Sequence, residues 1–330
     1  MNDLDALDRA LLDHIQVGVP LTPQPFASLG EKVGLGDEEV LARIRQWKEA
    51  RVIRQIGAIF DPRRLGYQST LVAFHVDQDA LERVAAQINA HPGVSHNYAR
   101  PHHYNLWFTL AIPPGQAVER EIERLARATG VEDWLNLPAL RVFKLRTHFR
   151  LGADRGDGDA ESHEGATTPS YNLSPADIPT IRALQQDLPL VSRPFAELAQ
   201  RWGQSEEALL HKARELESAG ILRRYSAVLR HRQVGYTFNG MACWLVPEPD
   251  IAEAGKLAAT YSQVSHCYQR PACPPRWPYT LFTMIHGRSQ DDVEGVVAQI
   301  SQATGIEDYQ VLYSSREFKK ERVRYFEEEA

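Results

Sequence analysis

Apolar positions recur at helical spacing along the first fifty residues. Leu4, Leu7, Leu11, Leu12 and Ile15 mark one helix, and Phe26, Leu29 and Val33 a second that Gly34 and Gly36 end. Val40, Leu41, Ile44 and Trp47 line the inner face of a third, with Asp37 as its expected cap. Three short helices with a glycine-containing turn before the last predict a helix-turn-helix module. From residue 70 the pattern changes. Residues 70–76 are apolar and β-branched and predict a strand, and 79–90 an amphipathic helix through Leu81, Val84, Ala85 and Ile88. Residues 94–98 and 105–112 predict strands, 116–129 a helix and 135–145 one final strand. The order β-α-β-β-α-β is ferredoxin-like. Such a sheet carries helices on one face only, so its other face requires a partner.

The same pattern then returns. Pro25-Phe26-Ala27 recurs as Pro194-Phe195-Ala196, Ile53-Arg54 as Leu222-Arg223 and Gly66-Tyr67 as Gly235-Tyr236, all at an offset of 169. Val94-Ser95-His96 recurs as Val264-Ser265-His266, Gly130-Val131-Glu132-Asp133 as Gly305-Ile306-Glu307-Asp308, and Phe143-Lys144 as Phe318-Lys319. The drift to 175 falls largely on an insertion around 271–278. In copy two the helices are expected at 178–188, 194–202 and 205–219, with Ser205 as cap and Gly220 as stop. Ordered matches with so little drift indicate a tandem duplication. The predicted fold class is therefore α+β, two helix-turn-helix modules (1–60 and 171–229) and two ferredoxin-like modules (61–150 and 230–330), with the sheets facing each other as a pseudo-dimer. Residues 151–170, glycine-rich, acidic and poor in apolar side chains, are expected to form a flexible linker.

Composition narrows the function. With 43% hydrophobic and 24% charged residues both halves can build a core. No apolar run approaches the roughly 18 residues of a membrane helix, and the acidic start, Asp3 and Asp5, lacks the basic region of a secretory signal. Cys243, Cys267 and Cys273 are an odd set without the short paired spacing of a zinc site, so reduced thiols in a cytoplasm and no metal site are expected. A net charge of −6 argues against nucleic acid. So do the acidic openings of both recognition helices, Asp37, Glu38 and Glu39 in one and Glu206 and Glu207 in the other. Arg43, Arg45, Lys48, Arg223 and Arg224 keep a DNA-binding regulator as the rival reading, and a non-catalytic ligand carrier is a third.

Chemistry concentrates in two short stretches. His96, Tyr98 and Arg100 alternate by two and would share one strand face, and His266, Tyr268 and Arg270 repeat it. Around them stand His102, Tyr104 and Trp107 in copy one and Trp277 and Tyr279 in copy two. Arg141 and Lys144 recur as Arg316 and Lys319 and would add positive charge. Aromatic rings pack on flat ligands and guanidinium forks bind carboxylates. A histidine serves as general acid near neutral pH, or it ligates a metal carried by the ligand. Packing alone would also preserve a doubled face. His103 is expected to face solvent and His75 the core, while Pro271, Pro274, Pro275 and Pro278 stiffen a loop.

Leu4-Asp5-Ala6-Leu7-Asp8, Pro194-Phe195-Ala196-Glu197-Leu198-Ala199 and Gly220-Ile221-Leu222-Arg223-Arg224-Tyr225 resemble the N-terminal signature of the Lrp/AsnC family. A sharper likeness lies in Ser95-His96-Asn97-Tyr98, Arg100, His102 and Tyr104-Asn105-Leu106-Trp107-Phe108-Thr109. These resemble one subunit of the siroheme decarboxylases of heme d1 biosynthesis. Ser265-His266-Cys267-Tyr268-Gln269-Arg270-Pro271 and the run from Trp277 to Met284 resemble the partner subunit. The resemblance implies a fused enzyme that removes the C12 and C18 acetate carboxyls of siroheme to give 12,18-didecarboxysiroheme. It implies no cofactor beyond the iron of the substrate. His96, His102 and His266 are then the catalytic candidates. Tyr98, Arg100, Tyr104, Trp107, Arg141, Lys144, Tyr268, Arg270, Trp277, Tyr279, Arg316 and Lys319 are the candidate substrate contacts. Expected partners are siroheme, a second copy of the chain and other heme d1 biosynthesis proteins, with neither specific DNA nor membrane. His102 has no copy-two equivalent, since Pro271-Ala272-Cys273 occupies that stretch, which favours one competent pocket walled by His102 and Arg100.

Overall fold

A computed structural model describes residues 4–145, 171–229 and 238–327 of the chain. The expected linker and the Gly235-Tyr236 repeat lie outside the described residues. Copy one opens with α1 (Ala6–Val17), α2 (Pro25–Val33) and α3 (Asp37–Glu49). Copy two answers with α6 (Ile178–Leu184), α7 (Pro194–Arg201) and α8 (Glu206–Ser218). Ser205 caps α8 through a bond from the Ala208 amide (3.1 Å), as expected. Asp37 does not cap α3: Gly36 holds that place without a side-chain bond, and Asp37 is the first helical residue.

A ribbon unread in the sequence joins the two modules. β1 (Ile53–Phe60) pairs antiparallel with β7 (Leu222–Leu229) as an isolated two-stranded sheet. Its burial alternates irregularly, which hid it from a period-two reading. Leu11, Ile15, Phe26 and Trp47 of copy one share one apolar core with Ile181, Phe195, Leu209 and Tyr225 of copy two.

In copy one, β2 (Gln68–Phe74), β3 (Val94–Ala99), β4 (Leu106–Ile112) and β5 (Trp134–Pro138) carry α4 (Leu81–Ala90) and α5 (Val118–Thr129) on one face. In copy two, β8 (Phe238–Trp244), β9 (Val264–Gln269), β10 (Leu281–Gly287) and β11 (Tyr309–Tyr313) carry α9 (Ile251–Thr260) and α10 (Gln290–Thr304). The bare faces meet: Trp107, Leu135 and Leu137 of one sheet share a core with Met241, Phe282 and Leu312 of the other and with Trp277 of the loop before β10. The expected face-to-face pseudo-dimer is the observed architecture.

One expected element divides. The single strand over 135–145 is two strands, β5 and then β6 (Arg141–Leu145), and β6 leaves its own sheet to pair with β9 of copy two. Reciprocally, β12 (Arg316–Lys320) pairs with β3 of copy one. The sheet orders are β12-β3-β4-β2-β5 and β11-β8-β10-β9-β6. β3 and β9 would otherwise present bare backbone, and each exchange covers one such edge. Phe143 of β6 packs into the copy-two core and Phe318 of β12 into the copy-one core. Gly255 of α9 makes room, because a Cβ there would stand 2.4 Å from the Phe143 ring.

Candidate active site

On β3, Asn97 turns toward the helices, its Nδ2 donating to Asn89 Oδ1 (3.0 Å). The residues on either side therefore face the opposite sheet. The His96 and Tyr98 rings lie 6.2 Å apart, and the Arg100 guanidinium sits 5.8 Å from the Tyr98 ring. β9 repeats this: Cys267 packs on the α9 side, His266 and Tyr268 lie 6.0 Å apart, and Arg270 sits 4.9 Å from Tyr268. The shared faces expected from the spacing are present.

The two arginines use these positions differently from the expected carboxylate forks. Arg100 Nη1 donates to the Leu312 carbonyl of copy two, and Arg270 Nη1 donates to the Leu137 carbonyl of copy one. Both are buried, which lowers each guanidinium to about 10, and each Nε is buried without a hydrogen-bond partner. Their observed work is to tie the two sheets together.

The exchanged strands carry the other expected cations away from this face. Lys144 Nζ donates to the Tyr261 carbonyl at the end of α9 (2.6 Å), and Lys319 Nζ to the Asn89 carbonyl at the end of α4 (2.7 Å). A cation there satisfies terminal carbonyls and complements the helix dipole. Arg141 is exposed beside Phe143, and exposed Arg316 pairs with Glu82. These four belong to the strand exchange, because their strands run along the outer edges of the sheets.

Tyr104, Trp107, Trp277 and Tyr279 form a closed aromatic cluster between the sheets rather than an open wall. Trp277 meets Trp107 edge-on at 5.3 Å and Tyr279 at 5.1 Å. His102 lies at its rim, 5.7 Å from the Trp277 ring, with Nδ1 accepting from the Tyr104 amide (3.1 Å). Beside it Asp133 collects Tyr104 (2.9 Å), His103 (2.8 Å) and Arg276 (3.1 Å). His103 is exposed as expected, but His75 is not a core residue: it stacks on His103 at 4.1 Å.

His96 is the expected candidate that opens on a cavity, of about 500 Å³. The ribbon residues Arg54 and Ala58, Ser95 and His96 of β3, Asp187, and Arg322 to Tyr325 after β12 line it. His102 and Arg100 do not, because β3 ends at Ala99 and carries them past the far end of the strand. Arg322 Nη1 donates to the Ala58 carbonyl (3.1 Å), and burial, then Arg224 and Arg54, lower its guanidinium to about 10. Arg54, Arg322 and Arg324 bring three guanidinium groups to the cavity lining, beside the carboxylates of Asp187 and Glu321. Burial, then Lys320 and Arg54, depress His96 to about 4. An arriving polyanion would offset the two cations and raise the basicity of His96.

His266 is depressed further, to about 3, by burial and then by His286, His96 and Arg270. His96 and His266 are thus near enough for the charge of one to act on the other across the sheets. Sequence reasoning missed Arg54, Arg322 and Arg324 as a group, and His286. The repeat of Ile53-Arg54 as Leu222-Arg223 was the available signal for the first, and His286 had none because copy one holds Ala111 there.

The basic residues that favoured DNA are engaged internally. Arg43 bridges Asp5, Asp8 and Glu39, Arg45 donates to the Leu190 carbonyl (2.9 Å), Lys48 pairs with Asp187 (2.5 Å) and Arg223 with Asp61 (2.8 Å). Among the described residues no helix is long and apolar enough to cross a membrane, and the three cysteines are free thiols.

Comparison with known proteins agrees with this duplicated architecture. Residues 64–144 and 233–319 match the AsnC-like ligand binding domain, and residues 8–54 and 177–223 match the siroheme decarboxylase NirDL-like HTH domain. The chain is 42% identical over 323 residues to a siroheme decarboxylase of Hydrogenobacter thermophilus, covering 97% of this chain and 95% of that one. The siroheme decarboxylase alpha subunit of Desulfovibrio desulfuricans is 47% identical over 152 residues, 46% of this chain and 87% of that one. A crystal structure of the siroheme decarboxylase NirDL in complex with an iron-uroporphyrin III analogue superposes with a TM-score of 0.78 at 39% identity, covering 97% of this chain and 94% of that one.

Proposed function

The chain belongs to the siroheme decarboxylase family, and from that premise we propose that it removes the C12 and C18 acetate carboxyls of siroheme, with His96 and His266 handling the protons. It is a decarboxylating enzyme whose substrate brings its own iron. The observation that carries the residue assignment is the cavity lined by three arginines with a neutral histidine in its wall. Siroheme is a polycarboxylate, and Arg54, Arg322 and Arg324 of the lining supply charge that can hold carboxylates. Loss of CO2 from an acetate arm leaves an electron pair that a proton must take up, so each event turns CH2–COO⁻ plus one proton into CH3 plus CO2. An imidazole is suited to deliver that proton. Tyr98 and Tyr268 stand next to the two histidines and complete the face. His102, which already accepts the Tyr104 amide and lies off the cavity, takes the smaller part at the rim.

The same reading puts the enzyme in the cytoplasm, with three free thiols, as a homodimer that passes its product to other heme d1 biosynthesis proteins. Anaerobic incubation with siroheme, followed by mass analysis, tests the function. Loss of two CO2 per substrate is expected, and unchanged siroheme bound at full occupancy would leave a carrier instead.

A further inference from the structure

One polar chain exists in only one copy. In copy two Ser265 Oγ lies 2.7 Å from His266 Nδ1 and 2.7 Å from His286 Nε2, and His286 Nδ1 lies 2.5 Å from Asn239 Oδ1. In copy one Ser95 Oγ lies 2.9 Å from His96 Nδ1. There the sheet register puts Ala111 and Ser69 where copy two has His286 and Asn239. We propose that Ser265 and His286 form a proton relay behind His266, with His286 holding the proton that His266 delivers to the substrate. This deepens the reading of His266 as a proton donor and rests on it.

The direction of each bond follows from the donors available. An amide oxygen only accepts, so His286 carries hydrogen on Nδ1 and turns Nε2 to the serine. When His286 is doubly protonated, Nε2–H donates to Ser265 Oγ, and the serine hydroxyl donates to His266 Nδ1. His266 then keeps its own hydrogen on Nε2, the ring atom turned away from the serine. The C–C bond to the carboxylate breaks, CO2 leaves, and the electron pair takes the proton from His266 Nε2. The serine proton moves to His266 Nδ1, and the His286 Nε2 proton moves to the serine oxygen. His286 ends neutral and His266 holds its hydrogen on Nδ1; a proton from water then enters at His266 Nε2, and the Nδ1 and serine protons step back to the serine and to His286 Nε2, which restores the starting state. One proton is consumed for each CO2 released.

The relay answers a difficulty of the site. His286, His96 and Arg270 surround His266, and its imidazole is too deeply placed to hold a second proton of its own at neutral pH. In the relay it is neutral before and after transfer, and the charge resides on His286, whose partner Asn239 presents an oxygen to it. Ser265 also lies 3.3 Å from the Met284 carbonyl, which takes the hydroxyl hydrogen when His286 is neutral.

The full chain is assayed with siroheme under anaerobic conditions, reading kcat, KM and thermal melting. His286→Ala reproduces what copy one holds at Ala111, so the strand tolerates it. A fall in kcat of about 10–10²-fold is expected, at or below the usual range for a proton donor, with KM and melting unchanged and partial recovery on adding imidazole. His286→Gln, which keeps polar contacts but cannot pass a proton, should fall equally. Ser265→Ala should fall with them, while Ser265→Thr retains the hydroxyl and the rate. Normal kcat in His286→Gln would overturn the relay, as would a loss that imidazole does not rescue and that appears in KM. If His266→Ala itself turns over normally, the donor reading of His266 is what fails. If His266→Ala is inactive and the His286 variants are normal, only the relay fails.

Discussion

In copy one, Ser95 holds His96 and the polar line stops there, with Ala111 on the neighbouring strand and an open, arginine-lined cavity in front. In copy two, Ser265 holds His266 and the line continues through His286 to Asn239. The strands, the registers and the His-x-Tyr-x-Arg face are the same, so the duplication set the frame. The difference lies in what surrounds each imidazole. Copy one places its histidine beside an open cavity lined by arginines, whereas copy two places its histidine against the line of Ser265, His286 and Asn239. Two equivalent residues have been given unequal surroundings, and the comparison can be broken experimentally.

The largest expected effect is on turnover. His96→Ala and His266→Ala should each lower kcat by about 10²–10⁴-fold, as loss of a proton donor does, and His102→Ala by far less. Product mass after timed anaerobic incubation ranks the three, and equal losses at His96 and His102 would dissolve the distinction between cavity and rim. Next come the sheet-tying arginines. Arg100→Ala and Arg270→Ala each remove a buried charge-assisted hydrogen bond, at a cost of about 1.5–3 kcal/mol. Urea unfolding should show similar losses for both, because the bonds to Leu312 and Leu137 are equivalent across the copies.

Acid lability follows from the two histidines. Both have pKa values below 6.5 in the folded chain, about 4 for His96 and about 3 for His266, so the unfolded chain takes up the proton first. Their contribution to stability is complete above pH 6.5 and is lost as pH falls from there through these values. Unfolding measured at pH 7.5 and 5 should show the loss, and His266→Gln should flatten it. The smallest stability effect belongs to the helix-end lysines: Lys144→Ala and Lys319→Ala should each cost about 1 kcal/mol and leave KM for siroheme unchanged. A raised KM would return these residues to the site. For duplex DNA no effect is expected. A titration giving nanomolar affinity for a defined operator at physiological salt would refute the reading of both helix-turn-helix modules as scaffold.

Much of the frame was legible because duplication doubles every signal. Helix periodicity, the strand alternation and the paired motif each occur twice, and the alternation of His96 with Asn97 gives the facing directly. What escaped were long-range pairings. Nothing local to residues 135–145 says that the chain should leave its own sheet after Pro138, since both strands satisfy the same apolar pattern. The arginine-lined cavity escaped because Arg54 meets Arg322 and Arg324 from nearly opposite ends of the chain. The helix-end bonds of Lys144 and Lys319 escaped because a repeated lysine signals charge before it signals a helix end.

The exchange of β6 and β12 bears on what the connecting residues 146–170 are for. Each sheet takes its last strand from the other half, so neither half is a finished folding unit by itself. The covalent connection then acts chiefly as a tether, raising the local concentration of one half around the other while the strands find their places. Once both are seated, a protease cut within 146–170 should leave a single particle on gel filtration, held by two antiparallel pairings and a common core, and the fused chain would behave in solution as two polypeptides that never separate.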